Sequence, residues 1–317
     1  MSARRRTAGS AGGQAAAACR TARTLCWRFA RARLRSIRQG RRPREARQRR
    51  PFVDAGDRAG AGPSKRADAR KGVPAEELMS AIRDIVAEQP AWGVRKVWAT
   101  LRRREKLVSL RRVHALMRAA NLVLARENEG RGDAAPRGHV VTALPNRRIA
   151  ADFTTVRTEL DGTVAVAIAV DCGCRSVLDV TVTKSQTSGA ILASVDRAME
   201  RAFGSPEAVP DGVELRTDHG PQYTGRDAEE LTKTWRVTHT FAPVGRPTGN
   251  AVAERTICTM KEECIWLADW RDIDELVAAL GRWARTFNED RPHQALGWQT
   301  PAERRAALLG PSERRAA

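Results

Sequence analysis

The sequence contains no apolar run approaching the roughly 18 residues that a membrane span requires. Nor does an apolar stretch followed by a small-residue cleavage site stand near Met1, so neither a spanning nor a secreted chain is expected. Its six cysteines (Cys19, Cys26, Cys172, Cys174, Cys258 and Cys264) lack the paired two-residue spacing of a zinc site. A chain of 317 residues is also too large to need a disulfide scaffold, and a reducing cytoplasm is the expected location. The Gly-rich loop and Lys of a nucleoside-triphosphate site are missing as well. Acidic residues do not appear until Glu45.

What is present is a formal charge of +19, very unevenly spread. Residues 1–72 carry a net +17, residues 73–126 a net +6, and residues 127–317 a net −4. The bulk charge therefore describes a tail rather than the protein. Residues 1–72, rich in Arg, Ala and Gly with no sustained periodicity, are expected to be disordered. They read as a nucleic-acid-binding tail in which Leu25, Trp27 and Phe29 could form a partner helix, as an Arg-rich transit peptide, or as an over-extended reading frame whose true start lies near Met79.

From Pro74 a helical period begins. Leu78, Ile82, Ile85 and Val86 share one face, and Val94, Val97, Trp98 and Leu101 repeat that spacing after a break at Pro90 to Gly93. A third helix is expected after the N-cap Ser109, with Val113, Leu116 and Met117 inward. Three short helices over 73–126 predict a small all-α, helix-turn-helix-like domain. Arg95 and Lys96 on the second helix and Arg111, Arg112 and Arg118 on the third form a basic outer surface able to neutralise phosphates, although a solvated bundle face has the same look. Residues 127–146, rich in Gly and Pro, read as a linker.

Beyond it, strands are expected at Ile149 to Val156, around Val164 to Val170 after an Asp161-Gly162 hairpin, and at Val177 to Val182. A helix from Ser188 to Phe203, a strand from Val213 to Thr217, a helix around Asp227 to Trp235, a strand from Val237 to Phe241 and a helix from Ala251 to Leu267 complete the pattern. Antiparallel strands first and crossover helices later predict an α/β mixed sheet with flanking helices over 147–305, followed by a tail at 306–317.

Three carboxylates stand out. Asp152 lies inside a strand, where aspartate is a poor former and costly to bury unless something compensates it; a metal ion would, and plain solvent exposure is the alternative. Asp218 follows a strand at the kind of carboxyl end where ligands gather in open sheets, and a turn-capping role is its alternative. Glu254 stands in the first turn of a helix, where the helix dipole alone would favour an acid. Between Asp218 and Glu254 lie 35 residues.

That spacing comes with distinctive words. Thr217-Asp218-His219-Gly220-Pro221-Gln222-Tyr223, Asn250-Ala251-Val252-Ala253-Glu254 and Arg291-Pro292-His293-Gln294-Ala295-Leu296-Gly297, with Thr300-Pro301 after them, follow in order. Trp92-Gly93-Val94-Arg95-Lys96, Arg112 to Arg118 and Pro145-Asn146 precede them. Over residues 74–305 the chain resembles the second-frame (OrfB-type) transposases of insertion-sequence family three, within the integrase-like DDE superfamily. It departs from them at Ile149, usually Trp, at Gly249, often Asp, and at Cys172 and Cys174.

The resemblance implies a ribonuclease-H-like integrase catalytic core with Asp152, Asp218 and Glu254 as catalytic residues and ligands of two Mg²⁺ ions, for which Mn²⁺ can substitute. Asp152 is expected to bridge the ions, with one further carboxylate on each. It implies DNA strand cleavage and transfer at the element's terminal inverted repeats and into target DNA, by a homo-oligomer on DNA, with an upstream-frame transposase protein as a further partner. Such a protein would associate with the nucleoid when bound to DNA. Lys261, seven residues after Glu254 and on the same helical face, is expected to meet a DNA phosphate. His219 is expected to position a carboxylate, with assistance to proton transfer as the alternative, and Arg291, His293 and Trp298 to anchor the last helices. A remnant that binds DNA without cutting it, or a host nuclease of the same fold, is the competing reading.

Overall fold

The computed structural model describes residues 73–124, 142–243 and 249–309. The expectations for 1–72, for most of the linker and for the end of the chain lie outside them. The described residues fall into two compact units, 73–124 and the remainder. Among them, no helix is long and apolar enough to cross a membrane.

The first unit holds α1 (Ala75–Glu88), α2 (Val94–Arg103) and α3 (Leu110–Ala119). Leu78, Ile82, Ile85 and Val86 are buried as their spacing predicts, against Val97, Leu101, Val113 and Met117. Trp92, just ahead of α2, joins this core, and Leu116 only partly enters it. Ser109 caps α3 by accepting the Arg112 N–H at 3.2 Å. The helices end abruptly because Glu105 and Asn121 adopt positive φ (59° and 56°), turning Lys106 N–H back onto Leu101 O and Leu122 N–H onto Met117 O. Those bonds satisfy carbonyls that a helix end leaves open.

In the second unit, β1 (Arg148–Thr158), β2 (Gly162–Asp171) and β3 (Val177–Thr183) form an antiparallel meander. After α4 (Ser188–Phe203) comes β4 (Glu214–Thr217), then α5 (Pro221–Thr224), α6 (Arg226–Thr234), β5 (Thr238–Phe241), α7 (Ala251–Glu263), α8 (Ile273–Glu289) and α9 (Pro301–Leu308). The sheet order is β3-β2-β1-β4-β5, with β4 parallel to β1 and β5 parallel to β4. This is the ribonuclease-H-like mixed sheet with flanking helices.

β2 explains how both faces are covered. Val164, Val166, Ile168 and Val170 face a layer with Ile257, Met260, Trp270, Leu280 and Trp283. Ala165, Ala167 and Ala169 face Ile191, Val195 and Met199 of α4, where small side chains let the helix lie close. The alternation therefore separates large from small, and both sides are buried.

The helix expected to run to Leu267 stops at Glu263. Cys264 leaves helical geometry (φ −137°, ψ −67°), and a 3-10 turn at Ile265–Leu267 directs Ile265 into the layer under Trp270, whose Nε1 donates to Ile265 O. α8, capped by Asp272 accepting the Glu275 N–H, buries Leu276, Leu280, Trp283 and Phe287.

A fully buried carboxylate, Asp171, organises the start of β1. It accepts N–H bonds from Asn146 (2.6 Å), Gly173 (2.7 Å) and Cys174 (3.1 Å), and Arg305 of α9 reaches both it (3.5 Å) and Asn146 Oδ1 (2.9 Å). Thr300 and Glu303 cap α9 reciprocally. The words Pro145-Asn146 and Thr300-Pro301, 155 residues apart, thus meet at one joint. A Cβ on Gly173 would lie 2.2 Å from the Leu144 carbonyl oxygen. Gly173→Ala is therefore expected to cost about 1–3 kcal/mol, as overpacking against backbone does, read as an earlier urea midpoint with unchanged slope.

Candidate active site

β1 and β4 run parallel with Arg148 opposite Glu214, Ile149 opposite Leu215 and Ala150 opposite Arg216. Continuing that offset by two residues places Asp218 beside Asp152. The Asp218 charge is felt at Asp152, so the two carboxylates lie near one another beyond the point where the strands cease to pair. α7 brings the third. Its Ala253 is buried against Ala150 and Cys172, and the Asn250 amide ahead of it donates to Ala151 O at 3.0 Å, which sets the first turn and Glu254 over β1.

The electrostatics agree with this placement. Burial raises the Asp152 carboxyl to about 7, and the charges of Asp218 and Glu254 push the same way, against the Phe153 N–H bond and the Lys261 ammonium, which favour the anion. Glu254 is raised by burial and then by Asp218. Asp218 Oδ1 accepts the Gly220 N–H at 2.9 Å. Among the described residues no Lys or Arg forms an ion pair with any of the three. Neither do any three Asp, Glu, His or Cys residues there close around a point as a bound metal would hold them. The donor set is nevertheless all carboxylate oxygen, mutually repelling and without a paired cation, which fits a hard divalent ion.

A pH dependence follows from Asp152. Its folded value lies above the ordinary 3.8, so protonation favours the folded state. That contribution is complete below the unfolded value and disappears as pH rises through about 7. Without divalent ions, melting temperature is expected to fall between pH 5.5 and 8, less steeply in Asp152→Asn, and Mg²⁺ at pH 8 is expected to restore it in the parent only. Parallel pH curves for the two proteins would contradict this.

Other residues land differently from expectation. His219 stacks on Phe241 (ring centroids 4.9 Å apart) and makes no hydrogen bond to Asp218, whose partner is the Gly220 backbone. A loop next to an aromatic strand end gives the imidazole an apolar face to cover, which the local sequence does not reveal. Tyr223, not singled out in the sequence, is buried beside Phe153, and its phenol is raised by burial and by the charges of Asp152 and Asp218. Arg291 is buried against Glu263 and joins His293 on Phe287, an anchoring arrangement. Trp298 is only half-buried.

Lys261 lies half-buried on α7, near enough to Asp152 for its charge to be felt. In the helical unit Arg95, Arg111, Arg112 and Arg118 are exposed and Lys96 is half-exposed. Arg111 and Arg118, seven apart on α3, share a face, whereas Arg112 also donates to Val73 O at 2.9 Å.

Comparison with known proteins agrees with this architecture. The family described as an integrase core domain matches residues 143–247, a second integrase core domain family matches 235–301, and an HTH-like domain family matches 74–129. The chain is 28% identical over 248 residues to the transposase InsD for insertion element IS2 of Escherichia coli, covering 75% of this chain and 82% of that one. It is 26% identical over 237 residues to a 31.7 kDa protein of insertion element IS407 of Burkholderia multivorans, covering 74% and 83%. The HTLV-2 integrase catalytic core domain in complex with magnesium aligns at 18% identity and a TM-score of 0.37, covering 50% of this chain and 96% of that one. By its matched domains the chain carries an integrase core and an HTH-like domain, and over three quarters of its length it is similar to transposases of insertion sequences.

Proposed function

We propose that this chain is a transposase that cuts and joins DNA at the ends of its own insertion sequence, with Asp152, Asp218 and Glu254 as the reacting site. The observation that supports the reading is the electrostatic proximity of three acidic residues from β1, the end of β4 and the first turn of α7: Asp218 raises the proton affinity of both Asp152 and Glu254, and Glu254 that of Asp152. When bound, two Mg²⁺ ions, or Mn²⁺ in their place, activate the attacking oxygen and neutralise charge on the phosphodiester. The chain's own part is to hold the carboxylates in place and to give up the proton that Asp152 retains near neutrality. Hydrolysis of one phosphodiester frees a 3′-hydroxyl, and that hydroxyl attacks a second phosphodiester, exchanging one P–O bond for another, so no nucleoside triphosphate is consumed.

Around that centre, Lys261 would meet a phosphate near the reacting bond, and Arg95, Lys96, Arg111, Arg112 and Arg118 the backbone of the terminal repeats. Action on two ends calls for more than one copy on DNA, and the upstream-frame protein is a natural partner. In domain terms, residues 73–126 bind DNA and 147–305 react with it. The test is incubation of the full chain with labelled element-end DNA, with and without Mg²⁺. Nicks bearing a 3′-hydroxyl only when the ion is present support the reading, whereas end binding with no cleavage would make the chain a binding remnant.

A further inference from the structure

Gly249 and Asn250, just ahead of α7, touch β1, β4 and the residue after β5. Gly249 O accepts from Arg216 Nε of β4 at 3.1 Å, and a Cβ on Gly249 would lie 2.5 Å from the Ala242 Cβ just past β5. Next to it Asn250 donates from Nδ2 to Ala151 O of β1 at 3.0 Å, while its own carbonyl accepts the Glu254 N–H at 3.1 Å. Arg216 and Ala150 form the last β1–β4 pair. The turn therefore wedges between the two strands at the point where they part, and Asn250 bonds at once to the residue before Asp152 and to Glu254 itself.

Asn250 is an unusual choice for a core position. It is 3% exposed, its side chain does not cap α7, and its Oδ1 is buried with no hydrogen-bond partner among the described residues. A half-satisfied buried amide contributes little to folding, because the desolvated, unmet acceptor offsets the bond that its other half makes. An apolar side chain would suit stability better, so the amide is explained by what its other half holds.

Resting on the proposed function of this same site, the geometry points to Asn250 as a positioning residue. It pins the Glu254 helix to the Asp152 strand and so sets the separation of the two carboxylates, without touching substrate itself. The departure at Gly249 belongs to the same device: the turn can seat against Ala242 only if residue 249 has no side chain.

Asn250→Ala and Asn250→Asp test this. The first removes the bond to Ala151 O; the second keeps the shape and sets an acceptor against that carbonyl. Asn250→Ala is expected to melt cooperatively within a few degrees of the parent and Asn250→Asp cooperatively at a lower temperature, because it buries an unpaired carboxylate, and both to bind element-end DNA with unchanged Kd. Turnover at saturating DNA should fall by about 10- to 100-fold with KM little changed, as ångström-scale misplacement does. Calorimetric titration with Mn²⁺ alone should show weaker binding in both variants, and in a Glu254→Gln background Asn250→Ala should weaken it no further. Parental turnover and Mn²⁺ binding in both variants would overturn the positioning role while Glu254→Gln still abolished cleavage. Loss of cooperative melting in both would overturn it too, by making Asn250 a folding residue. If the parent itself does not cleave, it is the functional reading that fails, and weakened Mn²⁺ binding still reports on the pin.

Discussion

Glu254→Gln is expected to abolish Mg²⁺-dependent nicking and joining of element-end DNA, by on the order of 10³-fold or more, as removal of one member of a reacting unit does. The substitution keeps the size of the side chain and its place on the first turn of α7, so the Ala253 contact with Ala150 and Cys172 should survive. What it removes is one anionic oxygen donor and one of the charges that raise Asp152. The variant should therefore fold, bind DNA as the parent does, and hold Mn²⁺ more weakly. Equal nicking by both proteins at the same Mg²⁺ concentration would take Glu254 out of the chemistry. Asp152→Asn should fall as far, because the two residues act as a unit, and the double substitution should be no worse than either alone.

Arg291→Met should give the largest loss of stability of any single change considered. Arg291 and Glu263 are joined by three contacts of 2.9–3.1 Å, with side chains only 9% and 4% exposed. Removing the guanidinium takes three short hydrogen bonds and the paired charge from a buried carboxylate, which costs about 3–5 kcal/mol, or on the order of 10 °C in a chain of this size. Glu263 is the last residue of α7, so the loss loosens the far end of the helix that carries Glu254. Pairing the change with Glu263→Leu should recover most of it, since two apolar groups of similar volume replace a buried pair at little cost. The measurement is a thermal melt of both variants. A drop no larger than that from breaking the exposed Lys233–Glu229 pair would show that burial does not govern this contact.

Much of the architecture was legible because it is local. The core-facing stripe of α1, the Ser109 cap, the bounds of α4 and the alternation along β2 each follow from residues within a few positions of one another. α8 was legible in kind, with Asp272 before a run of Leu276, Leu280, Trp283 and Phe287, although it was not assigned from the pattern. The early end of α7 was not, because Cys264 breaks the helix to serve Trp270 and Ile265 rather than any preference of its own. His219 misled for the same reason: its ring answers to Phe241, 22 residues away.

The sequence alone named the three carboxylates, their order and the 35-residue interval between the second and third, because family words are strings of neighbours. It had no means of showing that Asp152 and Asp218 fall side by side. That depends on the parallel offset between β1 and β4, a register set by backbone hydrogen bonds between segments 66 residues apart. Nor does the chain by itself reveal the parts played by Asn250 and Tyr223, although both stand in the distinctive words, or by Asp171: these are defined by what the fold brings against them, a strand carbonyl, two acids and the start of β1. Chemistry of residue type is written along the chain, whereas a shared electrostatic environment exists only once the sheet has closed.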